Sequence, residues 1–223
     1  MVICDKHDFI FLRIPKNASS SLAEFFVRNF CDSNDIWTEI NDCGIRDHNV
    51  KPALIQKYRY QYRFIHLTLQ ELVDNDVVTR NNVSRKQIIS VIRNPLARQL
   101  SLYFFLKRGE RKSPEEFRHV FRDGHHQSDT SNKILQTDYA KLDGVDTGTW
   151  WSYNKLNDYL VDFCSKQGKT GTLELKKFKN GYTPKQQKVF DEYYDQKTID
   201  AVRKYYEKDF DKLMELETGL ELA

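Results

Sequence analysis

Hydrophobic positions along the chain fall into short continuous runs, each followed by a segment with helical spacing. Residues 9–14 (FIFLRI) form an apolar run, and Leu22, Phe25, Phe26 and Phe30 after it share one helical face, which predicts strand, loop and helix. Residues 62–66 (YRFIH) are a second short strand candidate, and Thr68-x-x-Glu71 is a capping box that opens a helix. Residues 87–92 (QIISVI) are a third strand; Asn94-Pro95 and LARQLSLYFFLKRG then predict a helix with Pro in its first turn and Gly past its end. Strands apolar along their whole length and alternating with helices predict an α/β fold with a central, mostly parallel sheet covered on both faces. Residues 107–150 are polar and irregular, with RGERKSPEEF, DGHHQSDTSN and KLDGVDTG as loops expected to shape a substrate cleft. Thr183-Pro184 then marks a cap and a first helical position, and Ile199, Val202, Tyr206, Phe210, Leu213 and Met214 form an apolar stripe predicting a helix that packs back on the domain. No repeat, low-complexity tract or linker interrupts the pattern, so residues 1–223 are expected to form a single domain.

Composition narrows this reading. With 223 residues, 39% of them hydrophobic, the chain can bury one core. Charged residues reach 30%, but 14 Phe, 12 Tyr and 3 Trp spread throughout exclude a disordered chain. The longest apolar runs are strand-sized and fall short of the roughly 20 residues that span a bilayer. The N-terminal MVICDKHDFIFL lacks the basic and apolar regions of a secretory signal, so the expected location is cytoplasmic, away from membranes. Cys4, Cys31, Cys43 and Cys164 lie far apart in sequence, suggest neither a zinc site nor a disulfide framework, and are expected to be reduced and mostly buried. A net charge of +3 does not call for nucleic acid as a partner, so any anion site must be local.

The sharpest local feature is FLRIPKNASSSLAEFF at residues 11–26. A buried strand ends in Lys16, small residues follow, and a helix opens, an arrangement in which backbone N–H groups can form a concave nest for a phosphate-like anion. Ser21-x-x-Glu24 within it is a capping box, so an ordinary capped helix with a solvated lysine fits the same residues. The Walker A glycines are absent and the Lys precedes the small residues, which disfavours a Mg-ATP kinase. In VIRNPLARQLSLY, residues 91–103, Arg93 stands at the carboxyl end of the third strand and Ser101 two helical turns on. Arginine there suits bidentate phosphate binding, though a structural ion pair fits as well.

Taken in order, IPKNASSS and VIRNPLARQLSLY resemble the two cofactor motifs of the sulfotransferases that use 3′-phosphoadenosine-5′-phosphosulfate (PAPS), and are most similar to the carbohydrate O-sulfotransferases, in particular the uronyl 2-O-sulfotransferase branch. The resemblance covers residues 9–108, and more loosely Gln136-Thr137 and the C-terminal YTPKQQKVFDEYYDQKTIDAVRKYYEKDFDKL. It implies a P-loop-like three-layer α/β/α domain and a sulfuryl donor, PAPS, held by two groups of residues. Lys16 would stabilise the leaving phosphate, with Asn17, Ala18, Ser19, Ser20 and Ser21 forming the nest, and Arg93 and Ser101 would hold the 3′-phosphate. The acceptor implied is a hydroxyl on a carbohydrate. The membrane anchor and lumenal stem of animal Golgi members are not visible, which leaves compartment and acceptor open.

Such a transferase must take a proton from the acceptor hydroxyl, and histidine is the usual agent. His66 is the best placed, ending the second strand candidate on the carboxyl edge of the sheet, where ligands bind in open α/β folds, and similar family members carry their base in a corresponding segment. His48 is the second candidate, His125 and His126 read as a solvated loop pair, and His7 and His119 carry no argument. Sulfuryl transfer needs chiefly alignment and charge neutralisation, so no metal is expected. The run KKFKNGYTPK (176–185) can close over phosphates or be a solvated face; Lys107, Arg108, Arg111 and Lys112 can bind an acidic saccharide or be solvated; Trp150 and Trp151 can stack on a sugar or fill the core. Two other readings compete: a P-loop-like kinase for a nucleotide or small molecule, and a non-catalytic module that binds a nucleotide or glycan.

Overall fold

The computed structural model describes residues 1–41, 44–58, 64–107, 113–122, 134–169 and 184–219. Cys43, Arg108, Gly109, Arg111, Lys112, His125, His126, Thr183 and nearly all of the 176–185 run lie outside the described residues. The chain folds as two compact units, Met1–Val91 with Asp138–Phe178, and Ile92–Thr137 with Lys179–Ala223.

The first unit is mixed α/β. Its elements are β1 (Val2–Cys4), β2 (Phe9–Phe11), α1 (Ser19–Phe30), β3 (Ile36–Asn41), β4 (Gly44–His48), α2 (Pro52–Lys57), α3 (Leu69–Asp74) and α4 (Arg80–Arg85). Next comes β5 (Gln87–Ile92), whose last residue counts with the second unit. A six-stranded sheet runs β4-β3-β1-β2-β5 and ends on β8 (Gly148–Ser152), while β6 (Lys141–Leu142) pairs with β7 (Val145–Asp146). At the centre β2 lies parallel to β5, with Ile10 opposite Ile88, as expected of two buried apolar strands. β1 joins β2 antiparallel, and β3 and β4 extend the sheet antiparallel from there; these strands had no counterpart in the apolar-run pattern.

One face of the sheet presents Val2, Cys4, Phe9, Phe11, Ile89 and Val91 to α1 and to α7 (Leu156–Lys166). Phe26 is fully buried there and meets Phe9 at 5.0 Å, Phe11 at 5.1 Å, Phe163 at 5.5 Å and Trp151 at 6.1 Å between ring centroids. The predicted helical face of Leu22, Phe25, Phe26 and Phe30 is therefore the packing face of α1.

The second unit is helical among its described residues. α5 (Pro95–Leu106) is capped by Asn94, whose Oδ1 accepts from the Leu96 amide at 3.0 Å, with Pro95 in its first turn. α6 (Pro114–Arg122), α8 (Pro184–Tyr193), α9 (Gln196–Tyr205) and α10 (Glu207–Thr218) complete it. Leu96, Leu100, Tyr103, Phe117, Tyr193, Tyr194, Val202 and Tyr206 form its core. The Tyr194 hydroxyl donates to the Leu96 carbonyl at 2.8 Å, so the buried phenol is satisfied.

Three expectations change. Residues 64–66 form a short 3-10 turn instead of a strand: Phe64 and Ile65 are buried, but the Ile65 carbonyl accepts from the Met1 amino group at 3.0 Å. The Ser21-x-x-Glu24 box does not cap α1, because the helix already begins at Ser19 with Ala18 at its N-cap and no side-chain cap bond. The C-terminal stripe belongs to two helices, α9 and α10, which meet at Tyr206, and Met214 is 46% exposed.

Candidate functional site

The loop from Pro15 to Ala18 has an unusual backbone. Lys16 has φ +68° and Ala18 φ +58°, two non-glycine residues in the left-handed region flanking Asn17, which is not. Each such residue costs about 1–2 kcal/mol, and strain of this kind persists only where the surroundings impose it. The surroundings here are visible. The Leu12 amide takes the Ile89 carbonyl of β5 at 2.9 Å, after which the chain leaves the sheet. Val91, two residues on, presents its carbonyl on the same side, and the Asn17 side-chain amide reaches it at 2.6 Å. Asn17 is thus a buried substitute for the next strand residue and pins the loop to the end of β5. The first turn of α1 has no side-chain cap bond, and the two left-handed residues lie just before it.

Arg13 supports this loop from below. It is fully buried; Nη1 donates to the Thr38 carbonyl at 2.5 Å, and Nη2 to the Ser20 hydroxyl at 3.1 Å on the first turn of α1. The Met1 amino group lies in the same buried region, and burial, then the Arg13 charge, hold its pKa well below the usual value. The Arg13 carbonyl lies 2.6 Å from His66 Nδ1. Since a carbonyl only accepts, Nδ1 carries the proton, and the lone pair of the neutral ring is on Nε2. Half-buried His66 is therefore attached to the residue two before Pro15, and the first unit brings His66 together with the stem of the Lys16 loop.

Arg93 and Ser101 belong to the second unit, both half-buried, Arg93 between β5 and the Asn94 cap and Ser101 within α5. The Arg93 backbone is held by one side chain: its amide donates to Gln136 Oε1 and its carbonyl accepts from Gln136 Nε2, each at 2.9 Å. Gln136 is in turn held by buried Asp209 on α10. Asp209 carries the opposite charge to buried Arg98 of α5; burial raises its pKa, and the Thr137 and Gln136 amides and Arg98 oppose that rise.

Other candidates fall elsewhere. His48 lies on β4, separated from β2 by β3 and β1, with its ring stacked on Trp37 at 5.1 Å and Nε2 3.1 Å from the Ser33 carbonyl. Trp150 and Trp151 are core residues, Trp150 donating to Asp146 and Trp151 stacked on Tyr159 at 5.7 Å. Lys107 pairs with Glu116 at 2.7 Å and holds that carboxyl below its usual range. Cys4, Cys31 and Asp35 gather at the other end of α1, with ligand atoms within 4.8 Å of one another, although their sequence spacing gave no reason to group them. Asp35 already accepts the Asp5 and Asp32 amides at 2.7 and 2.8 Å, and the Cys4 thiol donates to the Phe30 carbonyl at 3.5 Å. The Cys31 thiol is pushed far up by its bond to Cys4, by burial and by the nearby carboxylates.

Arg13 and Asp209 were missed in the sequence. Arg13 had a signal, a charge inside an apolar strand run. So did Asp209, three residues after Tyr206 and four before Leu213 on the buried stripe.

No curated protein and no solved structure matches the chain. The sulfotransferase family model matches residues 1–213, which takes in the loop at Lys16, His66, Arg93, Ser101 and Asp209, and the chain belongs to that family of sulfuryl-transferring enzymes.

Proposed function

We propose that the chain transfers the sulfuryl group of PAPS to a carbohydrate hydroxyl, working as one P-loop-like sulfotransferase domain over both units. The observation that carries the reading is the strained loop Lys16–Ala18 opening an uncapped helix, with His66 attached to its stem. The donor set fits a phosphosulfate: backbone N–H groups of residues 18–21 and a lysine ammonium recognise a tetrahedral anion without a metal. Arg93 and Ser101 hold the 3′-phosphate in this reading.

PAPS supplies an activated sulfur whose bond to the 5′-phosphate oxygen breaks as the acceptor oxygen bonds to it. His66 Nε2 takes the hydroxyl proton, and the Arg13 carbonyl on Nδ1 steadies the imidazolium that results. Lys16 and the nest neutralise the negative charge left on the phosphate oxygen, the main electrostatic demand of the step. Arg13 keeps Ser20 and the helix start in register.

The test is a thermal-shift titration with adenosine 3′,5′-bisphosphate against 5′-AMP and Mg-ATP. Selective stabilisation by the bisphosphate, lost in Arg93→Ala, is the expected result; stabilisation by Mg-ATP alone, or by none of the three, removes the reading. His66→Ala is expected to keep bisphosphate binding and lose turnover with labelled PAPS.

A further inference from the structure

We infer that Asp209 is a positioning residue that sets the backbone of Arg93 through Gln136, and thereby the enzyme's preference for a 3′-phosphorylated nucleotide; this rests on the role proposed above for Arg93. Arg93 follows the last residue of β5 and precedes the cap of α5, so its backbone groups belong to neither element's ladder. Gln136 satisfies both at 2.9 Å, as a neighbouring strand would. That pairing needs the amide one way round, oxygen to the Arg93 N–H and nitrogen to the Arg93 carbonyl.

Asp209 settles which way. Its Oδ2 accepts from Gln136 Nε2 at 3.2 Å and from the Gln136 backbone amide at 2.9 Å. A flipped amide would set Oε1 against this carboxylate and break three bonds together. Oδ1 accepts from the Thr137 amide at 3.0 Å and the Thr137 hydroxyl at 3.1 Å, so the carboxylate cannot turn without losing those. Asp209 is fully buried, and Arg98 of α5 supplies the opposing charge. Four donors converge on this buried acceptor, and Gln136 links it to Arg93. In Asp209→Asn one acceptor oxygen becomes an NH2 that faces donors, and the orientation of the Gln136 amide is no longer dictated.

The experiment measures binding of adenosine 3′,5′-bisphosphate and of 5′-AMP by calorimetry for the wild type, Asp209→Asn and Gln136→Met, with amide hydrogen exchange at Arg93 in nucleotide-free protein. The expected result is a bisphosphate affinity lowered about tenfold or more in both variants, the scale of one charge-assisted hydrogen bond, with 5′-AMP affinity unchanged and faster exchange at Arg93. A purely structural role would lower both affinities together or neither, and either outcome in a folded variant overturns the inference. If Asp209→Asn does not fold, Gln136→Met decides in the same way. If the wild type itself does not prefer the bisphosphate, the 3′-phosphate role of Arg93 falls and takes the specificity claim with it; exchange at Arg93 then decides the positioning claim alone.

Discussion

The bond from Asn17 to the Val91 carbonyl is where the loop's geometry is most exposed to experiment. In Asn17→Ala the amide is removed and the carbonyl, at the end of β5 where β2 has already left the sheet, stays buried. Leaving a buried acceptor unsatisfied costs about 1–3 kcal/mol, since neither water nor a strand replaces the partner. Asn17→Asp should cost more, because it sets a carboxylate against a carbonyl now only 2.6 Å from the amide nitrogen. The chain's 3 tryptophans, Trp37, Trp150 and Trp151, all lie in the unit that carries the loop, so tryptophan fluorescence reports unfolding of that unit. With a urea m-value of about 2 kcal/mol/M, Asn17→Ala should move the midpoint down by roughly 0.5–1.5 M with its slope unchanged. Lys16→Ala, which keeps a Cβ in the same left-handed backbone, serves as the control and should move it far less. A midpoint for Asn17→Ala equal to wild type would refute the claim that this bond holds the loop on the sheet.

Lys16→Gly should raise stability by up to about 1 kcal/mol, relief at φ +68° being partly offset by a freer unfolded chain, while bisphosphate binding falls; urea titration and calorimetry must show opposite signs. Phe26→Ala should cost about 3–5 kcal/mol in the same fluorescence titration, since the fully buried ring lies between Phe9, Phe11, Phe163 and Trp151. Because burial raises the Asp209 pKa, the folded chain holds that proton more tightly than the unfolded one. The associated stability is fully present below about pH 3.9 and is lost as pH rises through the folded value. Measured across that range, the stability of wild type relative to Asp209→Asn should therefore decline with rising pH; a flat or rising difference contradicts the direction of the shift.

What the sequence showed well was whatever depends on neighbours along the chain. QIISVI is β5 over the residues predicted, Asn94-Pro95 opens α5, and Thr68 with Glu71 forms its capping box, because continuous apolarity and cap chemistry are local. The hairpin partners were illegible: VIC is three residues long, and residues 36–41 alternate too little to announce a strand. YRFIH misled because a short apolar run is buried equally well in a turn. The start of α1 misled for another reason: SSSLAE offers a side-chain cap, and the chain declines it for a left-handed Ala18. Lys16, His66 and Arg93 were visible as residue types beside apolar runs, whereas the partners through which Arg13 and Asp209 act lie 53 and 73 residues away in sequence, distances no local pattern spans.

The chain passes between its two units three times, after Val91, Thr137 and Phe178. Neither unit is a continuous stretch, so neither can be cut out as a fragment with its core intact. Vectorial synthesis follows from the same fact. Residues 1–91 lack β8 and α7, whose Trp151, Leu156, Leu160 and Phe163 close the core around Phe26, until the ribosome has passed Lys166. The second unit waits longer still, for Tyr193, Tyr194, Val202 and Tyr206 to cover α5. One side of β5 and the packing face of α5 must therefore wait for partners that are synthesised well after them, and it is there that a nascent chain would need a chaperone.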